Sequence, residues 1–134
     1  MTTGVCTDVV IRAFRAAGVD LQELVHNDMK GSFTAYPRMW GSRAPDTNID
    51  HRRVPNLETF FKRKRRALSI SVKSTNYLPG DIVSWQLGSL THIGIVTEKK
   101  SLSGTPLIAH NIGSGTKIED VLFSWKQRGH FRWF

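Results

Sequence analysis

The chain has little cysteine, few acidic residues and no long apolar run. Its 134 residues include one cysteine, which excludes an intramolecular disulfide and a cysteine-rich zinc site. No apolar run approaches the roughly 20 residues of a membrane-spanning helix, so no membrane span is expected. Hydrophobic residues make up 40% and charged residues 22% of the chain, as in soluble globular proteins rather than disordered ones. We therefore expect one domain over residues 1–134, and a monomer.

Basic residues outnumber acidic ones, with 19 Lys and Arg against 11 Asp and Glu and a formal net charge of +8. Such a protein attracts polyanions, of which nucleic acid, anionic lipid and bacterial cell wall are examples. The densest basic run, residues 62–66, suits the last turn of a helix, where cations complement the helix dipole. Zinc-finger spacing and RNP-like strands are absent from the sequence. We expect no nucleic-acid partner, and a non-catalytic nucleic-acid-binding module is kept as an alternative.

The first half of the chain predicts helices. Apolar residues follow Cys6 at helical spacing and stop at Gly18, and Asp20 with Glu23 resembles the capping box of a second helix. A third helix is expected after Pro55. The apolar positions expected to face the core are Val9, Val10, Ala13, Phe14 and Ala17 in the first helix, Leu21, Leu24, Val25 and Met29 in the second, and Leu57, Phe60 and Phe61 in the third.

Between the second and third helices, residues 31–55 are rich in turn formers and predict a long loop. Its aromatic residues Phe33, Tyr36 and Trp40 are expected to line a site.

The second half predicts strands. The segments with strand-like composition or alternation are residues 68–72, 82–85, 92–96, 106–111 and 129–134. Helices followed by a cluster of strands are typical of an α+β domain. We expect N-terminal helices packed on a C-terminal antiparallel sheet.

Cys6 is predicted to stand at the start of the first helix. A thiol at that position feels the partial positive charge of unpaired backbone N–H groups, which lowers its pKa and favours the nucleophilic thiolate. A lone cysteine is also commonly a small buried apolar residue. The choice between the two interpretations depends on which side chains surround it.

Two histidines occupy strand-like contexts, His92 at the start of one strand and His110 near the end of the next. Their separation, 110 − 92 = 18 residues, allows two adjacent antiparallel strands with a connection, so the imidazoles can lie side by side. In cysteine hydrolases one imidazole takes the thiol proton, and a polar group on its far nitrogen fixes its tautomer. The pair therefore gives Cys6 the partners that a nucleophile needs, although each histidine alone is ordinary.

The order of motifs resembles a known family. After the cysteine come Pro-Gly-Asp-Ile-Val at 79–83, His-Ile-Gly-Ile-Val at 92–96 and Ile-Ala-His-Asn at 108–111. This order is similar to that of the NlpC/P60 peptidases, papain-like cysteine hydrolases of bacterial cell walls. The chain looks most like the DUF1287 (YijF-like) branch of that superfamily. The segments that carry this closer resemblance are residues 4–10, 48–56, 77–83 and 110–113.

The resemblance implies a papain-like NlpC/P60 fold and a role for each residue of the site. Cys6 would be the nucleophile, His92 the general base and His110 the orienting third residue. The papain-like plan also allows asparagine in the third role, so Asn111 stays an alternative, although side-chain alternation lets only one of these neighbours face His92. No metal and no cofactor are expected.

Around the cysteine the chain departs from the Asp-Cys-Ser-Gly of the larger superfamily, because Val5 precedes Cys6. Asp8 and Arg12 lie four apart on one helical face, and they either pair with each other or bind the charged ends of a peptide stem. The other residues expected to bind substrate are Trp40, His51, Arg52, Arg53 and Asn111.

The activity implied by the resemblance is hydrolysis of an amide bond in peptidoglycan peptide stems through a Cys6 thioester, in the periplasm or cell envelope. Residues 1–4 do not resemble a signal peptide. Either the chain is a shortened form, or the protein is an antibacterial effector delivered into a neighbouring cell, and such effectors often have a cognate inhibitor protein. A zinc hydrolase using Cys6, His92 and His110 is a further alternative that no HExxH spacing supports.

Overall fold

A computed structural model describes residues 3–36, 53–111 and 115–134, with side chains described from Cys6 onward. The helices are α1 (Thr3–Ala16), α2 (Leu21–Ser32) and α3 (Val54–Arg63). The strands are β1 (Ala67–Leu68), β2 (Ile82–Leu87), β3 (Leu90–Lys100), β4 (Pro106–His110), β5 (Lys117–Glu119) and β6 (Lys126–Phe131). All strands join one antiparallel sheet in the order β1-β6-β2-β3-β4-β5. The α+β class with N-terminal helices is thus confirmed.

Within the described residues, none of the helices is both long and apolar enough to span a bilayer.

The first two helices form close to where the sequence predicts them. Asp20 caps the N-terminus of α2, and its Oδ1 accepts a hydrogen bond of 3.1 Å from the Glu23 N–H. After the end of α1, Gly18 adopts a φ of 84°. The predicted core residues that are buried in these helices are Val9, Val10, Phe14, Leu21, Val25 and Met29. Three predicted core positions, Ala13, Ala17 and Leu24, are exposed instead. The buried stripe of α1 passes through Ile11 and Phe14, which leaves both alanines facing outward.

The strand predicted over 68–72 is mostly wrong. Only Ala67 and Leu68 pair with β6, and Ile70 and Val72 are 50% and 89% exposed. An alternating pattern cannot show whether a neighbouring strand is available, and at this sheet edge the pairing ends after Leu68. The closing strand β6 ends at Phe131, three residues before the predicted end at 134.

The sheet carries an apolar cluster on each face. Ile82 and Ile93 join the helices in the first cluster, whereas Val83 and Trp85 belong to the second. Successive side chains of a strand point to opposite faces, which separates the two sets. Leu122 covers the second face, and its backbone carbonyl accepts a hydrogen bond of 3.0 Å from the Trp85 indole N–H.

Most of the basic run at 62–66 contacts the protein itself. Arg63 and Lys64 approach the Asp28 carboxylate at 2.7 and 3.4 Å. The Arg66 guanidinium lies 4.6 Å from the centre of the Trp133 ring and donates a hydrogen bond of 2.8 Å to the Trp133 carbonyl. Helix α3 has basic residues in its last turn, as predicted.

Candidate active site

Cys6 lies in the first turn of α1, and the helix begins at Thr3, three residues before the start that the sequence suggests. The side chain is buried, with 2% of its surface exposed. Burial raises the pKa of the Cys6 thiol to about 11, and hydrogen bonds from the backbone at Ile93, Cys6 and Thr7 offset this only in part. The predicted lowering of the pKa by the helix terminus is therefore wrong, since loss of solvation outweighs the dipole.

His92 stands near the start of β3, opposite Trp85 in β2. The residue is 3% exposed, and its ring stacks on the Trp85 indole, with ring centres 5.7 Å apart. Since Cys6 reaches the backbone of Ile93, the thiol lies beside the residue that follows His92. The N-terminal turn of α1 and the start of β3 therefore lie close together, with Cys6 packed in the first cluster and the His92 ring among the indoles of the second face.

His110 is the last residue of β4 and contacts His92 directly. The His92 Nε2 and His110 Nδ1 atoms are 2.8 Å apart. Asn111, the alternative third residue, accepts a hydrogen bond of 3.3 Å from the Gly115 N–H through its Oδ1. Of the two neighbours, His110 is therefore the one that pairs with His92.

Gly94 explains how the two imidazoles come so close. A Cβ atom on Gly94 would lie 2.7 Å from Ile108 Cγ2 and 3.2 Å from His110 Cβ. Any larger residue would push β4 and its histidine away from β3. The glycine of the His-Ile-Gly motif is thus required by the close approach of the two strands.

A third member of this hydrogen-bonded chain, Glu119, was missed by the sequence analysis. Its Oε1 lies 2.7 Å from His110 Nε2. Glu119 stands opposite Ile108 in β5, so it is diagonal to His110 across the strand pair, a distance that a long side chain spans. The three-residue strand Lys117–Glu119 has one apolar residue and gives no strong sequence signal.

The surroundings keep His92 neutral. Burial, with repulsion from His110 whenever that ring is protonated, lowers its pKa to about 4. Both indoles of the second face contribute to this burial, since Trp125 lies 5.7 Å from the His92 ring and 6.0 Å from the His110 ring, measured between ring centres. Near neutral pH the resting site therefore holds a thiol and a neutral imidazole rather than an ion pair.

The predicted substrate-binding residues are only partly brought together. Arg12 donates to the backbone carbonyl of Asp8 and to Thr116 Oγ1, both at 3.4 Å. This contact between Arg12 and Asp8 thus involves the main chain of Asp8 and not its carboxylate. Arg53 precedes α3 as its N-cap residue. Trp40, His51 and Arg52 lie outside the described residues.

Of the loop aromatics, Tyr36 is buried and its hydroxyl donates to the Asp28 carboxylate. It packs in the cluster beneath the helices, which also contains Cys6, and its role in lining a site stays a prediction.

The Pro-Gly-Asp motif has a structural role. Asp81 is 1% exposed and accepts hydrogen bonds of 2.6 Å from His130 Nε2 and 2.7 Å from Arg132 Nε. Burial alone would raise its pKa, but the bonds from Arg132 and His130 outweigh it and hold the pKa at about 2. The same carboxylate accepts the Leu78 N–H at 3.0 Å and closes the turn before β2.

The described residues contain no group of three or more His, Cys, Asp or Glu side chains arranged to hold a metal ion.

These features define an α+β protein with a buried cysteine on the first helix and a pair of buried, hydrogen-bonded histidines on the sheet. Residues 1–133 match the family profile described as "Domain of unknown function (DUF1287)", and the chain belongs to that family. It is similar to "Uncharacterized protein YijF" of Escherichia coli (strain K12), with 54% identity over 132 residues, covering 98% of this chain. The chain spans 64% of the length of that relative. A comparison with solved structures found no match.

Proposed function

We propose that the protein is a cysteine amidase or endopeptidase that hydrolyses an amide bond in peptidoglycan peptide stems through a Cys6 thioester. We also infer that it is a papain-like member of the NlpC/P60 superfamily and acts in the periplasm or cell envelope. The observation that supports this most is the His92–His110 contact of 2.8 Å, together with the hydrogen bond between the Cys6 thiol and the backbone of Ile93, the residue after His92. Motif order along the chain provides the second line of support.

The first half-reaction uses Cys6 and His92. Cys6 Sγ attacks the carbonyl carbon of the amide while its proton passes to a ring nitrogen of His92. Since His92 Nε2 is engaged by His110, the acceptor is Nδ1. The C–N bond then breaks, the proton on His92 passes to the leaving amine, and the acyl group remains on sulfur as a thioester.

The second half-reaction restores the site. A water molecule gives a proton to His92 Nδ1 as its oxygen attacks the thioester carbon. The C–S bond breaks, the carboxylic acid leaves, and the proton returns to Cys6. In both halves His92 must accept a proton, which requires it to be neutral at rest, as its pKa of about 4 provides.

The experiment is digestion of purified peptidoglycan followed by mass spectrometry of the released muropeptides. Wild-type protein should release new peptide termini, and His92→Gln should lose this activity by about a hundredfold or more, the range for a general base. His26→Gln is the matched control, because His26 lies on α2, which holds none of the proposed catalytic residues. Failure of the wild type to cleave, or equal activity of His92→Gln and wild type, would contradict the proposal.

A further inference from the structure

We propose that Glu119 is a positioning residue that fixes the tautomers of both histidines and leaves His92 Nδ1 as the bare, proton-accepting nitrogen. The tautomer assignment follows from the hydrogen-bond chain itself. Its catalytic consequence rests on the proposed function.

The first step is the contact between Glu119 and His110. An ionised carboxylate only accepts hydrogen bonds, so the 2.7 Å contact requires a proton on His110 Nε2. An imidazole that carries one proton then has a bare Nδ1. His110 Nδ1, the ring nitrogen that faces His92, is therefore a hydrogen-bond acceptor.

The second step is the contact between the two imidazoles. A hydrogen bond of 2.8 Å between ring nitrogens needs one proton. His110 Nδ1 has none, so His92 Nε2 must donate. With its single proton on Nε2, the neutral His92 ring has a bare Nδ1, the nitrogen that the mechanism needs.

His110 and Glu119, which form one end of this hydrogen-bonded chain, differ in burial. The side chain of His110 is 1% exposed, whereas that of Glu119 is 44% exposed. The carboxylate thus stays largely hydrated while its oxygen reaches a buried imidazole, which avoids most of the cost of burying a charge. When His92 accepts the thiol proton, the new positive charge is stabilised through His110 by this anion.

A glutamine at position 119 tests the idea because its amide can both donate and accept. When the amide nitrogen donates to His110 Nε2, the proton of His110 moves to Nδ1, and His92 must then hold its proton on Nδ1. Glu119→Gln should therefore convert both rings, wholly or in part, to the tautomer that cannot accept the thiol proton.

The measurement is two-dimensional NMR of the full chain with ¹⁵N-labelled histidine, which distinguishes a protonated from a bare nitrogen in each ring. In the wild type both His92 and His110 should carry the proton on Nε2. In Glu119→Gln the Nδ1-protonated form should appear, and kcat for peptidoglycan should fall about 10- to 100-fold with KM changed much less. Glu119→Asp should retain the wild-type tautomers, and Glu98→Gln, an exposed glutamate of β3, should leave both readouts unchanged.

A wild-type spectrum with the His92 proton on Nδ1, or with two protons on His110, would overturn the proposal. Unchanged tautomers in Glu119→Gln would overturn it as well. If the wild type shows the expected tautomers but cleaves no peptidoglycan, the positioning role of Glu119 is supported and the proposed function fails, so the two failures can be distinguished.

Discussion

Alkylation of Cys6 by iodoacetamide should depend on pH in a way that reveals its protonation state. Burial raises the pKa of Cys6 from 9.0 to about 11, so at neutral pH the thiolate fraction is about 100-fold lower than for an unperturbed thiol. Because only the thiolate reacts, the rate should rise about tenfold per pH unit from pH 7 towards 10. Intact-mass spectrometry measures the rate without ambiguity, since the chain has one cysteine.

The effect of restricted access to Cys6 on the alkylation rate must be separated from the effect of thiol protonation. The low exposure of Cys6, 2%, slows alkylation by a similar factor at every pH, whereas the raised pKa moves the pH at which the rate levels off from about 9.0 to about 11. The protein unfolded in urea provides the reference profile, and circular dichroism defines the pH range in which the fold persists. His92→Gln should leave the slope unchanged, because a neutral His92 does not stabilise the thiolate.

The result that would contradict this prediction is a plateau in the alkylation rate. A thiolate–imidazolium pair would give a rate plateau between about pH 4 and 8, and His92→Gln would abolish it. Such a plateau would refute both the raised pKa of Cys6 and the neutral resting state of the site.

Three further predictions concern stability, each measured by urea unfolding. Gly94→Ala should cost about 1–3 kcal/mol, because the new methyl group would lie 2.7 Å from Ile108 Cγ2; an unchanged midpoint would contradict the close approach of β3 and β4. Asp81→Ala should cost roughly 3–5 kcal/mol, because it leaves buried His130 without its carboxylate; a loss below 1 kcal/mol would argue against that network. The pKa of His92, about 4 against 6.5 when unfolded, means that the unfolded chain binds a proton first, so stability should fall by at most about 3 kcal/mol as pH drops from 6.5 to 4. His92→Gln should remove that part of the pH dependence, and a persisting slope would assign it to another group.

Much of the helical half follows from local sequence. The Asp20 cap and the spacing of Leu21, Val25 and Met29 specify α2 without reference to the rest of the chain. Leu24 shows the limit of such patterns, because it lies beside the buried face and packing decides its 37% exposure.

The sheet edges depend on long-range pairing, which local patterns do not contain. Residues 68–72 have the alternation of a strand yet mostly lack a partner, while β5 has little of that alternation and pairs with β4. Glu119 was missed for this reason, since nothing near it in sequence shows that His110 lies across the strand pair.

The contact between the two histidines was predictable from the sequence, but the electrostatics around Cys6 were not. The spacing of His92 and His110 placed the two rings together, and the structure brings them into contact. The protonation state of Cys6 was predicted with the wrong sign, because the helix dipole is a local property and burial under the sheet is a tertiary one.

The most direct test of the central claim is the comparison of wild type and Cys6→Ala in the muropeptide digestion. The account predicts that wild type generates new peptide termini in peptidoglycan, and that Cys6→Ala, with an unchanged circular dichroism spectrum, generates none above background. Cleavage by Cys6→Ala at the wild-type rate would contradict a thioester on Cys6.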